Sequence, residues 1–269
     1  MKATSWACYS SSCGSGSVTL YQVGGAVDIN PQCQSYCNGG NAFGIEEYTY
    51  EGNVTLSRCS DWVLRVCECC RNNAINTINN PGNAELCIEA TLNNVLGCNN
   101  SPTFSEYPTP FICAGNYFCY NNGATEIDGD QLVYELITPL DNPGLVTYNG
   151  AYSAINPVGG TATFDTATGN LCVTPPSIVS GVLALKVSEY RNGVLIGSII
   201  RDIQINVFGC SSTNPPALTA IDDTNIVDIN IMNTYTVELD CPDGNQSINF
   251  DINTINNNPA PPPAPPGYN

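Results

Sequence analysis

Apolar and polar residues alternate in short stretches of the chain, and Asn-, Gly- and Pro-rich turns separate the stretches. In SIIRDIQINVF (198–208), Ile199, Ile203, Ile205 and Val207 share one face, with Arg201 the exception, while Ile200, Asp202, Gln204 and Asn206 take the other. A period of two with one apolar face predicts a half-buried strand. Just upstream, EYRNGVLIG (189–197) sets Arg-Asn-Gly-Val between two apolar runs. Asn192-Gly193 predicts a hairpin there, because a type I′ turn needs two residues at positive φ. QLVYELI (131–137) alternates Leu132, Tyr134 and Leu136 against Gln131, Val133 and Glu135. ELCIEATL (85–92) alternates Leu86, Ile88, Ala90 and Leu92 against Glu85, Cys87, Glu89 and Thr91, and SDWVLRVC (60–67) and NVTL (53–56) also fit strands. No amphipathic helix emerges. Short strands at this spacing predict an all-β chain of antiparallel β-sandwiches.

Cysteine usage divides that pattern. Of 15 cysteines, twelve precede residue 120: Cys8, Cys13, Cys33, Cys37, Cys59, Cys67, Cys69, Cys70, Cys87, Cys98, Cys113 and Cys119. Only Cys172, Cys210 and Cys241 follow. The shift predicts a boundary near 113–118, giving a Cys-rich β domain over 1–115 and a second β domain over 116–209. PALTAI, NIVDINI, TYTVELD and SINFDI then supply three or four strands over 210–255, a partial third domain, since a sandwich needs about seven. The Pro-rich stretch 256–269 reads as an extended polyproline linker. Met1-Lys2 runs straight into polar residues with no apolar signal segment, so the expectation is a processed start or a piece of a longer protein.

Charge narrows the function. Twenty-four acidic residues against 7 Lys and Arg give a net charge of −17, and there is no His. Without His, Ser–His–Asp and Cys–His relays, His-containing zinc sites and His pH switches are excluded. The acidic balance argues against nucleic acid and anionic membrane surfaces, which call for a basic face. No apolar run approaches the roughly 18 residues of a membrane-spanning helix. With only Trp6 and Trp62 and few aromatics for a sugar platform, no catalytic site is expected and the chain reads as a non-enzyme.

Two groups of residues carry candidate chemistry. All fifteen cysteines are disulfide candidates, because thiols at this density suit an oxidising, extracellular compartment. A structural zinc site is the weaker reading: Cys33 and Cys37 are four apart and Cys67, Cys69 and Cys70 crowd together, but no repeated C-x-x-C pair is present. In EIDGD (126–130), Glu126, Asp128 and Asp130 place hard oxygen ligands at alternate positions with Gly129 allowing a tight bend. That arrangement suits Ca²⁺, which takes 6–8 oxygens. The alternative is a simple turn before the strand at 131–137, with Asp-Gly chosen for its backbone freedom.

WVLRVCECCRNNAI (62–75), ELCIEATLNN (85–94), PTPFICAG (108–115), FCYNNGATEIDGDQLVYELITPL (118–140), TFDTATGNLCVTP (163–175) and EYRNGVLIGSIIRDIQI (189–205) together resemble a known group. It comprises the repeated Ig-like and cadherin-like modules of very large Bacteroidetes cell-surface proteins, including gliding-motility adhesins and other type IX secretion substrates. The resemblance covers roughly residues 6–209 in order. It implies tandem Ig-like and cadherin-like sandwiches, a cell-surface or secreted location, and adhesion to a substratum or glycan. An alternative is a self-assembling extracellular filament whose subunits complete one another by strand addition. Neighbouring domains of the same long chain, or identical chains, are the implied partners. Those modules usually carry D-x-D-G-D where this chain has Glu126, and further strands precede the segment matching VTLYQVGG (18–25). Asp165-Thr166-Ala167 matches their O-glycosylation pattern, which would place the sugar on Thr166.

Overall fold

A computed structural model describes residues 3–29, 45–108 and 111–209. The expected third domain (210–255), the linker (256–269) and Cys33, Cys37, Cys210 and Cys241 lie outside those residues. The chain is all-β with several antiparallel sheets. The long strands are β1 (Ala3–Ser10), β2 (Gly14–Asp28), β3 (Glu46–Glu51), β4 (Trp62–Glu68) and β5 (Leu86–Leu92). Short pieces follow: β6 (Thr103–Phe104), β7 (Phe111–Cys113), β8 (Phe118–Asn121) and β9 (Ala124–Thr125). Then come β10 (Gln131–Ile137), β11 (Leu140–Asp141), β12 (Gly144–Leu145), β13 (Thr161–Phe164), β14 (Asn170–Thr174), β15 (Val179–Arg191) and β16 (Val194–Phe208).

The main sheet runs β10-β15-β16-β5-β4-β1-β2-β3, and β7, β11 and β12 attach to its flanks. Strands from both sides of residues 113–118 share it, because Ala90, Thr91 and Leu92 of β5 pair with Ile199, Ser198 and Gly197 of β16. The pairing is antiparallel throughout except at β7, which runs parallel to the end of β16. A second sheet, β13-β14-β8, contributes Leu171, Val173 and Tyr120 to one core with Leu183, Leu185, Val187, Ile203, Ile205 and Val207 of the main sheet. A smaller core gathers Trp6, Cys8, Val18, Leu20, Leu56, Trp62 and Leu64 at the amino-terminal end.

The β15–β16 hairpin turns at Asn192 (φ 53°) and Gly193 (φ 79°), with Arg191 paired to Val194, as the type I′ signal requires. Ile203, Ile205 and Val207 are buried as the alternation predicts. Arg201 interrupts that face because its guanidinium lies 4.3 Å from the centre of the Phe104 ring and donates to the Glu106 carbonyl. Segment 53–56, expected as a strand, is not one. It lies alongside the small core, where Leu56 packs beside Trp62 and the Trp62 indole donates to the Ser57 carbonyl at 2.9 Å. β5 is not one-sided either: Cys87 is fully buried and Leu86 is exposed, reversing the expected face at that end.

The reason lies where β5 divides its outer edge between β16 and β11. Arg71 fills the gap. Its guanidinium grips both oxygens of Asp202 at 2.8 and 2.7 Å and donates to the Glu85 and Leu140 carbonyls at 3.1 and 2.9 Å. Both side chains of this ion pair are 2% exposed. Four directed bonds compensate the desolvation that would otherwise make a buried charge costly. Among the described residues no helix is long and apolar enough to cross a membrane.

Candidate functional site

The acidic loop sits at the entrance to β10. The β10–β15 register pairs Gln131 with Tyr190, which brings Asp130 beside Arg191. Gly129 has φ 82°, a conformation that a side chain disfavours, and it lets the loop turn back on itself. The Glu126 carboxylate accepts the backbone N–H groups of Asp128 at 2.7 Å and Asp130 at 2.6 Å. Asp128 accepts the Asn100 backbone N–H at 2.6 Å and its side-chain amide at 2.9 Å. Those two bonds, helped by Arg191, hold the Asp128 carboxyl below the ordinary range. Asp130 takes a two-pronged contact from Arg191 at 2.8 and 2.7 Å, and Arg191 also donates to the Cys98 carbonyl and to Asn99 Oδ1.

One oxygen from each of Glu126, Asp128 and Asp130 lies within 4.8 Å of the others, so the sequence-predicted set is brought together. The donors already present do not exhaust it. A carboxylate offers about four lone-pair positions, so oxygens that accept one N–H each can still face a hard cation. Arg191 supplies one positive charge at 2.7 Å from Asp130 and 3.6 Å from Asp128. Sequence reasoning missed Arg191, Glu189, Asn99 and Asn100. Only strand register brings them here, and the hairpin at Asn192-Gly193 was the one signal that fixes where Arg191 stands.

Glu189 is the buried member, 1% exposed, with its carboxylate accepting the Asn99 amide at 3.1 and 3.2 Å. Burial raises its pKa, the charges of Glu126, Asp130 and Asp128 add to the rise, and Asn99 opposes it. A raised folded pKa means the fold favours the protonated acid. That contribution is complete below the unfolded value and is lost as pH rises through the folded one. Glu126, Asp130 and Asp128 are the charged groups that bear on it, and Arg191 pairs with Asp130. Glu189→Gln is therefore expected to melt above the wild type near pH 7, with the advantage shrinking toward the ordinary Glu range near pH 4.3. A thermal melt series checks this, and a constant difference across pH would show that Glu189 titrates normally.

The disulfides form a second group. Cys13–Cys59, Cys67–Cys87, Cys69–Cys70 and Cys119–Cys172 are bonded, and Cys113 is disulfide-bonded as well. Cys67 and Cys87 stand directly opposite on β4 and β5, as do Cys119 and Cys172 on β8 and β14. Both links therefore join hydrogen-bonded neighbours within a sheet. Two of the disulfide candidates, Cys8 and Cys98, are free thiols: Cys8 is buried in the small core, where burial raises its pKa, and Cys98 is exposed. Cys67, Glu85 and Cys87 also cluster closely, but the two sulfurs are bonded to each other and offer no thiolate to a metal.

Thr166 is exposed in the turn between β13 and β14. Asp165 shapes that turn by accepting the Ala167 N–H and the Thr168 hydroxyl, both at 2.8 Å, which lowers its pKa. Near Cys13–Cys59, the hydroxyls of Ser10, Ser11 and Ser12 and the Ser11 N–H all converge on Asp61. Led by the Ser10 and Ser11 hydroxyls, they hold the Asp61 carboxyl down at about 2. No family model, curated protein or solved structure matches the chain.

Proposed function

We propose that the chain is a structural and adhesive segment of a long extracellular cell-surface protein, of the gliding-adhesin kind exported by type IX secretion. The carrying observation is the pair of disulfides at directly opposed positions, Cys67–Cys87 and Cys119–Cys172, each locking the register of two bonded strands. A strand pair so linked cannot slide under a shearing load until a covalent bond breaks, which suits a module held between a cell and a surface. The core shared by the two sheets supports an Ig-like or cadherin-like sandwich. The test is detachment under flow of beads coated with the chain, on glass and on glycan-coated surfaces. Retention well above uncoated beads is expected, and none on any surface would overturn adhesion.

A filament subunit is the second reading, favoured by the amino-terminal ribbon. There β3 ends the strand order among the described residues, and Tyr21, Val23 and Val27 of β2 are about half exposed. Such an edge readily adds another strand. Imaging of the purified chain separates the readings, because only the second gives a regular helical repeat.

Ca²⁺ at Glu126, Asp128 and Asp130 belongs to the first reading as a stiffener of the β10 entrance. Support comes from three carboxylates held within 4.8 Å of one another beside one guanidinium. A ligand bound only by the folded state stabilises it by about 2.7 kcal/mol at 100 times its dissociation constant. Melting temperature is expected to rise with added Ca²⁺, and Asp128→Ala to erase the rise. An identical melt in EDTA would leave the loop as a turn held by Arg191, Asn100 and its own backbone N–H groups.

A further inference from the structure

Loop length separates the disulfides into two kinds. Cys13–Cys59, Cys67–Cys87 and Cys119–Cys172 span 46, 20 and 53 residues. Each removes freedom from the unfolded chain, and the effect grows with the logarithm of the loop. Cys69–Cys70 spans 1. A bond between neighbours closes no stretch of chain, so by the same reasoning it does almost nothing to staple the fold. Its presence calls for another explanation.

Exposure supplies one. Cys69 and Cys70 are both exposed, whereas Cys87 is fully buried and Cys67 half-buried. The pair also stands on a fixed base. The chain enters it from β4, bonded on both sides to β1 and β5, and leaves it into Arg71. Arg71 is pinned by its own N–H to the Ala84 carbonyl at 2.9 Å and by the fork to Asp202. The two sulfurs are therefore presented to solvent at a set place.

We propose that Cys69–Cys70 is a thiol–disulfide exchange site whose substrate is an external dithiol. One thiolate of the dithiol attacks a sulfur of the pair, forming a mixed disulfide and breaking the Cys69–Cys70 bond, and the other cysteine departs as a thiolate. The second thiol of the reagent then attacks the mixed disulfide and releases the first cysteine. The external dithiol is oxidised to its disulfide, the pair is reduced to two thiols, and the two protons of the reagent end on Cys69 and Cys70. The reverse sequence reoxidises the site. Cys67–Cys87, two residues away, is spared by burial. The Arg65 Nε donates to Cys67 Sγ at 3.4 Å and would favour that sulfur as the leaving thiolate, yet the attack this assists must reach Cys87, which is closed to solvent.

Titration of the folded 269-residue chain with dithiothreitol, followed by alkylation and peptide mapping, tests the proposal. Cys69 and Cys70 are expected to take the label at a dithiothreitol concentration about tenfold below that needed for Cys67 and Cys87, and oxidised dithiothreitol should reverse it. Labelling of Cys69 and Cys70 without any reductant would mean that the pair is not bonded and would overturn the proposal, as would reduction only together with Cys67–Cys87. The Cys69→Ser/Cys70→Ser variant is expected to keep the wild-type melting temperature. A fall as large as that of Cys67→Ser/Cys87→Ser would make the pair a staple after all.

Discussion

Arg71→Ala is expected to destabilise the chain by about 3–5 kcal/mol, the cost of leaving one member of a buried ion pair without its partner. Asp202 would then keep its charge at a 2% exposed position, and the Glu85 and Leu140 carbonyls would lose their donor. For a folded region of roughly 200 residues that corresponds to a fall of about 6–20 °C in melting temperature. The deficit should depend on pH. Burial already raises the Asp202 pKa while Arg71 lowers it. Without Arg71 the folded pKa rises further, so stability is lost as pH rises through it and partly recovered in acid. Urea unfolding followed by fluorescence of Trp6 and Trp62 measures both effects. Arg71→Met with Asp202→Leu should cost much less than Arg71→Ala, since paired apolar replacements of a buried ion pair are often neutral. A loss below about 1 kcal/mol for Arg71→Ala would mean that water reaches the site.

The second large effect concerns the Cys119–Cys172 bond. Its removal in Cys119→Ala/Cys172→Ala is expected to cost about 4 kcal/mol, because the closed loop spans 53 residues. The same reasoning gives about 3 kcal/mol for Cys67–Cys87, whose loop spans 20. Chemical denaturation of the two double variants checks the order as well as the size. An inverted order would show that local packing around Cys87, not the freedom of the unfolded chain, sets the stabilisation.

Local signals in the sequence carried far where the physics was local. Asn192-Gly193 specified its own turn, and the alternation in 198–208 specified a face, because each depends on residues within a few positions. Glu126, Asp128 and Asp130 were legible as a group for the same reason. The remaining parts of the site depend on register between distant strands. Asp202 and Arg71 are 131 positions apart, and Arg191 and Asp130 are 61 apart, so neither pairing leaves a trace in any short window. β1 was missed because Trp6 and Cys8 alternate with small residues, a pattern too weak to stand out before its partners are known. The 53–56 stretch had the apolar content of a strand but lies against the Trp62 core without a strand partner among the described residues.

The order of strands in space and the order of their synthesis are at odds at β5. One edge of β5 meets β4, which has already been made, but Ala90, Thr91 and Leu92 on the other edge wait for Ile199, Ser198 and Gly197. At roughly 5–20 residues per second, the intervening ~105 residues take about 5–20 s to emerge. During that interval the nascent chain displays an open strand edge able to pair with a neighbouring chain. Arg71 is in the same position, a cation whose carboxylate is made 131 residues later. The amino-terminal strands thus depend on a strand made about 105 residues later, and their early history is one of waiting, with crowding between nascent chains as the principal hazard.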